Sequence, residues 1–161
     1  SELYCGVGAI GLSLLARGSR VRFNERARGG LEGLASGLAA RPSAERARAE
    51  VFPGSAGDHR GLIEGADVVV VDPPRKGLDR PLLEALAGSP PPRLVYLACD
   101  RTSLDRDLDA LLASGKAVLR GIEAFDFFPF TEHVETLVWL DRAGEQFAEC
   151  SDPPPAEGRC P

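Results

Sequence analysis

The sequence predicts a doubly wound α/β fold, a mostly parallel sheet with an antiparallel strand at its C-terminal end. Three observations predict it. Apolar runs of strand length alternate with helix-like stretches along residues 1–141. One run, Ala66 to Val71, is a continuous, largely β-branched segment of the kind buried on both faces of a parallel sheet. The last two runs, 117–125 and 134–141, are joined too tightly for a crossover, so they must pair antiparallel.

Taken in order, residues 1–5 read as the end of a first strand, truncated at its start, and 6–11 as a glycine-rich turn. Leu12 to Arg17 starts a helix. A second strand runs from Val21 to Asn24 and ends at Glu25. Residues 27–49, rich in Ala, Arg, Leu and Glu, read as helix, although Gly29, Gly30, Gly33, Gly37 and Pro42 interrupt the pattern. A short third strand falls at 50–52. The Ala66 to Val71 strand is stopped by Pro73 and Pro74. Helix follows at 80–87, strand at 93–98, and helix at 102–113 with Thr102 or Ser103 as the expected cap. The last strand pair flanks a turn at Phe128-Pro129-Phe130-Thr131. Residues 143–161 form a Pro-rich polar tail, expected to be disordered. One domain over residues 1–142 is the expected organisation.

Composition narrows the function classes. The chain has 161 residues, 43% hydrophobic and 27% charged, which suits a globular domain with a real core. No apolar run approaches the ~18 residues that a membrane span needs. No signal peptide opens the chain, so a soluble, cytoplasmic protein is expected. The chain carries no methionine, and its first residues already look like a strand entering a turn, which reads as a fragment lacking its upstream part. Cys5, Cys99, Cys150 and Cys160 form no C-x-x-C pair and no zinc spacing, which fits a reducing compartment and predicts no metal. With 24 acids against 19 bases the net charge is −5, which argues against a free-standing nucleic-acid-binding surface. An RNA enzyme whose basic module lies elsewhere remains compatible.

Right-handed crossovers place the carboxyl ends of parallel strands along one edge, where such folds bind ligands. Glu25, Asp72 and Cys99 end the second, fourth and fifth strands. Glu135 begins the returning strand at the same edge. Each has an ordinary reading alone: an Asp before Pro-Pro as a turn residue, a strand-end cysteine as a small hydrophobe, a Glu at a strand start as a solvated charge. The turn Cys5-Gly6-Val7-Gly8-Ala9-Ile10-Gly11 carries G-x-G-x-x-G, and Glu25 follows Gly6 by 19 residues, near the ~20 expected of an acid that holds ribose hydroxyls. That turn alone fits a nicotinamide-dependent oxidoreductase equally well.

Four segments carry more. "LYCGVGAIGLSLL", "VVVDPPRKGLD", "ACDRTSLDRDL" and "FPFTEHVETLVWL" occur in the order and spacing of the RNA uracil-5 methyltransferases, and the chain resembles that family over nearly all of residues 2–141. The resemblance implies a Rossmann-like methyltransferase sheet, S-adenosylmethionine as cofactor, and an RNA substrate, transfer or ribosomal. It implies Cys99 as nucleophile and Glu135 as base. Asp72 would orient the uracil edge near the methyl donor, and Glu25 would hold the cofactor ribose. Tyr4, Gly6 and Gly8 would line the cofactor turn. Arg75 and Lys76 would reach RNA phosphate or simply sit in a solvated loop. DPPR lacks the aromatic fourth residue of the adenine amino-methyltransferases, and an amine target would need no cysteine.

The resemblance casts Cys5 as structural. His133 precedes Glu135 by two and shares its side of an extended strand, so it would either help position that base or be a simple hydrogen-bonded histidine. Departures from the family pattern are Glu2, Ala9, the Phe23-Asn24 pair that would crowd a ribose, Ser55 in place of an adenine contact that Asp58 would replace, and Arg101 where a proline is usual. Family members also carry an N-terminal RNA-binding module, a central insert and an upstream Phe-x-Gln segment. An iron–sulfur cluster found in some relatives belongs to that part too. The expectation is therefore a monomeric, membrane-free catalytic domain that is weak or inactive alone. The alternative is a non-catalytic remnant of the fold that at most binds a nucleotide.

Overall fold

Four consecutive valines, Val68–Val71, form a strand in the middle of the sheet, where a β-branched run without polar alternation belongs. The computed structural model describes residues 1–127, 130 and 134–145. In chain order the elements are β1 (Glu2–Leu3), α1 (Ala9–Ala16), β2 (Val21–Glu25), α2 (Arg28–Ala39), α3 (Ser43–Arg46), β3 (Ala49–Pro53), β4 (Val68–Val71), α4 (Arg80–Gly88), β5 (Arg93–Ala98), α5 (Arg101–Leu112), β6 (Ala117–Phe125) and β7 (Glu135–Arg142). A single 3-10 turn at Arg60–Ile63 precedes β4.

The strand order is β3-β2-β1-β4-β5-β7-β6. β1 to β5 pair parallel, and β7 runs antiparallel to both β5 and β6. Strand order reverses between β1 and β4, so a crevice opens there, outside the carboxyl ends of the strands.

Two apolar clusters hold the layers. On one face Val69 and Val71 of β4, Leu94 and Tyr96 of β5, and Val138 and Leu140 of β7 pack with Leu82 and Leu86 of α4 and Leu104 and Leu111 of α5. Near the other edge of the sheet Leu12 and Leu15 of α1, Leu34 of α2 and Val21 and Phe23 of β2 pack together. Burying each such side chain fully contributes about 1.5–3 kcal/mol.

Local chemistry explains where helices stop. α1 closes in a Schellman motif: Gly18, at φ 98°, donates to the Leu15 carbonyl at 3.0 Å and Ser19 to the Leu14 carbonyl at 3.1 Å. The single helix expected over 27–49 is instead α2 and α3, because Pro42 disfavours the α conformation for Arg41 before it. The cap of α5 is Asp100 rather than Thr102 or Ser103. Its Oδ1 accepts from the Ser103 N–H at 2.8 Å, and the Ser103 hydroxyl returns a bond to the Asp100 carbonyl at 3.2 Å.

The expected turn at 128–131 apart from Phe130, His133, and the tail beyond Glu145 with Cys150 and Cys160 lie outside the described residues. Among the described residues no helix is long and apolar enough to cross a membrane, and no group of three metal-binding side chains gathers.

Candidate active site

The glycine turn after β1 is built from left-handed backbone. Tyr4, Gly6 and Gly8 have φ of 58°, 54° and 78°. Gly8 needs its missing side chain twice over, since a Cβ there would lie 2.5 Å from Leu34 Cδ1 and 3.2 Å from Phe23 Cε1. Glu25, buried at the end of β2, staples this turn to the start of α2. Its Oε2 accepts from the Gly6 N–H at 2.8 Å, and its Oε1 accepts from Arg26 and Ala27 at 2.7 and 2.6 Å. Beneath the turn, Glu2 is 3% exposed and accepts from the Gly11 N–H at 2.9 Å. Burial pushes its carboxyl up to about 7, the Gly11 bond opposing.

The segment after β4, Asp72 to Asp79, is pinned from three sides. Asp107 of α5 is fully buried, and its Oδ2 accepts from the Leu78 N–H and from the Tyr96 hydroxyl, both at 2.8 Å. Arg106 pairs with the other Asp107 oxygen at 2.7 Å and donates to the Lys76 carbonyl at 2.8 Å. Gly77, at φ 81°, lets the backbone pass this close, for a Cβ would lie 2.5 Å from Asp107 Oδ2. On the far side the Asp79 N–H donates to the Tyr4 hydroxyl at 2.9 Å, and the Ser55 hydroxyl donates to Asp79 Oδ2 at 3.0 Å. Partial burial alone would raise the Asp79 carboxyl, but Ser55 and the Lys76 ammonium hold it below its ordinary value. The loops after β1, β3 and β4 are thereby tied together.

Register then assembles the chemistry. The β5–β7 ladder pairs Ala98 with Thr136, so the next antiparallel step sets Cys99 against Glu135. Directly opposed residues of an antiparallel pair have Cβ atoms about 4.5–5.5 Å apart. The β4–β5 ladder pairs Val71 with Tyr96, so its next step sets Asp72 beside Leu97, two residues before Cys99 and on the same face. Asp72 is exposed to solvent, yet it sits in a concavity whose walls remove part of its hydration. That desolvation raises its carboxyl above the ordinary range, and the charge of Glu135 adds to the rise. Cys99 is a free thiol, half-buried.

Tyr4, Glu25, Asp72 and Cys99 line one cleft of about 430 Å³, together with Arg26, the Pro73-Pro74 step, Lys76 and Asp79. That volume lies within the range of small-molecule sites. Glu135, Gly6 and Gly8 are not among the lining residues; Glu135 reaches the site through its charge, which acts on Asp72, and Gly6 through its bond to Glu25. A wider hollow of about 590 Å³ includes Ser1, Glu2, Arg22, Asp67 and Val68 and none of the residues that line the cleft.

Several finer expectations change. Phe23 is fully buried beneath the turn, and the Asn24 amide bonds the Phe52 and Gly54 carbonyls at 2.9 and 3.1 Å, so neither intrudes on the cleft. Asp58 lies with Arg60, Glu64 and Ser89 around a separate depression and is not among the residues that line the cleft. Arg101 opens α5 and pairs with Asp105 at 3.5 Å, and the Asp100 cap fixes the turn that a proline would stiffen. Cys5 is buried, its thiol pushed up to about 12 by burial first and by Glu2 and Glu25 after it, which suits a structural role. The positioning roles of Asp107, Ser55 and Asp79 have no counterpart in the sequence reading.

Comparison with known proteins points to a family. A family model described as tRNA (uracil-5-)-methyltransferase matches residues 65–143, the half of the chain that carries Asp72, Cys99 and Glu135. Over these residues the chain is similar to the tRNA (uracil-5-)-methyltransferase family. Among its relatives, an "Uncharacterized RNA methyltransferase" of Protochlamydia amoebophila is 34% identical over 141 residues, covering 88% of this chain and 37% of the relative. A protein of the same description from Gloeobacter violaceus is 39% identical over 145 residues, covering 88% and 30%. Among solved structures, the tRNA (uracil-54, C5)-methyltransferase of Pyrococcus abyssi in complex with S-adenosyl-L-homocysteine superposes with a TM-score of 0.73 at 31% identity, covering 86% of this chain and 32% of that one. The chain thus spans about a third of the length of these relatives. The oxidoreductase reading of the glycine turn is set aside.

Proposed function

We propose that this chain is the catalytic domain of an RNA uracil-5 methyltransferase, which transfers a methyl group from S-adenosylmethionine to carbon 5 of a uridine in transfer or ribosomal RNA. The observation that supports the reading is the cleft shared by Asp72 and Cys99 at the carboxyl ends of β4 and β5, beside the Ala98–Thr136 pair that brings the start of β7 next to Cys99.

The residues around the cleft fit the cofactor. Glu25 offers two oxygens with about four acceptor sites, and its three backbone bonds leave room for one ribose hydroxyl. Tyr4 lines the same cleft, and the positive-φ glycines let a nucleoside approach the backbone. S-adenosylmethionine, when bound, supplies an electrophilic methyl on sulfonium.

Everything else falls to side chains of this chain. Carbon 5 of uracil is a poor nucleophile. The Cys99 thiolate adds to carbon 6, and the electron pair of the C5–C6 bond moves toward the carbonyl at carbon 4, giving an enolate that is nucleophilic at carbon 5. Asp72 holds the uracil edge so that carbon 5 faces the methyl donor. Once carbon 5 carries the methyl, Glu135 removes its proton, the C5–C6 double bond re-forms and the Cys99 thiolate leaves. Opposed placement of Cys99 and Glu135 suits this sequence, because both act on adjacent ring carbons.

The test uses the natural full-length protein with RNA and S-adenosylmethionine. Glu135→Gln is expected to stall after methyl transfer and accumulate a covalent protein–RNA species on a denaturing gel. Cys99→Ala is expected to give neither adduct nor methylated RNA. Methyl transfer at the wild-type rate by Cys99→Ala would sink the proposal.

A further inference from the structure

Phe125 ends β6, and its ring stacks on that of Phe127, with centroids 5.5 Å apart and planes within 6°. Phe127 is 65% exposed, and Phe130 and Val134 close by in sequence are exposed as well. Phenylalanine is normally a core residue. An exposed ring whose back is supported by a second ring, and which is held flat by it, is a surface built to receive another flat apolar object.

Its location says which object. The β6–β7 ladder pairs Phe125 with Glu135, and Cys99 lies opposite Glu135 on the other side of β7. Phe125 thus lies across β7 from the end of β5, where Ala98 pairs with Thr136 just before Cys99, at about two strand spacings, roughly 10 Å. A nucleic-acid strand that delivers a uracil to Cys99 has its neighbouring nucleotides within that reach. Unpaired RNA bases are characteristically recognised by splaying them onto aromatic side chains. Charge points the same way. With 24 acids against 19 bases the chain has little general attraction for phosphate, so base stacking must carry a larger share of the contact.

We propose that Phe127, backed by Phe125, is a stacking platform for an unpaired base next to the target uridine. This rests on the methyltransferase reading above and adds to it the form in which the RNA is held.

The experiment measures binding of the full-length protein to an RNA hairpin with a uridine in its loop, for wild type, Phe127→Leu and Phe127→Trp. Leucine keeps apolarity and removes the flat face, and the position is exposed, so the variant should fold; its thermal midpoint checks this. Phe127→Leu is expected to weaken binding roughly 5- to 150-fold, the range equivalent to the ~1–3 kcal/mol of one stacked base. Phe127→Trp should retain wild-type affinity. Moving an abasic nucleotide through the loop should find one position where wild type and Phe127→Leu bind alike. Equal binding by wild type and Phe127→Leu, or a ratio that no abasic position abolishes, overturns the platform. Methyl transfer to the same hairpin is read in parallel. A wild type that shows the Phe127 dependence and transfers no methyl refutes the enzyme reading and leaves the platform standing.

Discussion

Replacing Asp107 by Ala is expected to loosen the whole segment that carries Asp72, although Asp107 faces away from the cleft. Three donors lose their acceptor: the Leu78 N–H, the Tyr96 hydroxyl and the Arg106 guanidinium. Arg106 is partly exposed and rehydrates, so its loss counts for little. Leu78 and Tyr96 are buried, and each unsatisfied buried donor costs about 1–3 kcal/mol. A total destabilisation of about 3–4 kcal/mol follows, a large part of the ~5–15 kcal/mol that holds a typical domain. Asp107→Asn keeps one acceptor oxygen and should cost about half as much. Urea unfolding with linear extrapolation measures both. Tyr96→Phe in the Asp107→Ala background removes an orphaned hydroxyl, so the double variant should be less destabilised than the sum of the singles, by about 1 kcal/mol. Asp107→Ala within ~1 kcal/mol of wild type, or strict additivity with Tyr96→Phe, would refute the pinning argument.

Two further predictions concern the glycine turn. Glu2 is raised from 4.5 to about 7 in the folded protein, so between those values the folded state holds more protons than the unfolded one and stability falls as pH rises, by up to ~3 kcal/mol. Glu2→Gln should flatten that slope in denaturation curves taken from pH 5 to 8 and should be the more stable protein at pH 8; an unchanged slope would count against it. Gly8→Ala forces a side chain into φ 78° and against Leu34, and should lower stability by about 2–4 kcal/mol while weakening S-adenosylmethionine binding in calorimetry. An unaltered melting temperature would contradict the packing described for the turn.

Much of the fold could be read from the chain because the deciding signals are local. The valines of β4 exclude most alternatives, and the short link between β6 and β7 dictates their antiparallel pairing. That Glu25, Asp72 and Cys99 line one cleft follows from one rule about strand ends. The opposition of Cys99 and Glu135 is finer, since it depends on the β5–β7 register, which residue spacing alone does not set.

Other features are non-local and had no such signal. Asp105, Asp107 and Asp109 sit in one helix with similar neighbours in sequence, and only the approach of Leu78 and Tyr96 singles out the middle one. Ser55 and Asp79 belong to different loops, and their bond exists only once β1, β3 and β4 are side by side. The α5 cap falls on Asp100, while Thr102 and Ser103 offer capping oxygens of the same kind two and three residues on, so the sequence does not single out one of them.

The most direct test of the central claim uses RNA in which the target uridine carries fluorine at carbon 5. Fluorine cannot be abstracted as a proton is, so Glu135 has nothing to remove and Cys99 cannot leave. With S-adenosylmethionine present, the full-length protein should form a denaturant-stable adduct whose peptide map places the RNA on Cys99, and Cys99→Ala should form none. Absence of an adduct from wild type on RNA that it binds, or an adduct that survives Cys99→Ala, would contradict the account.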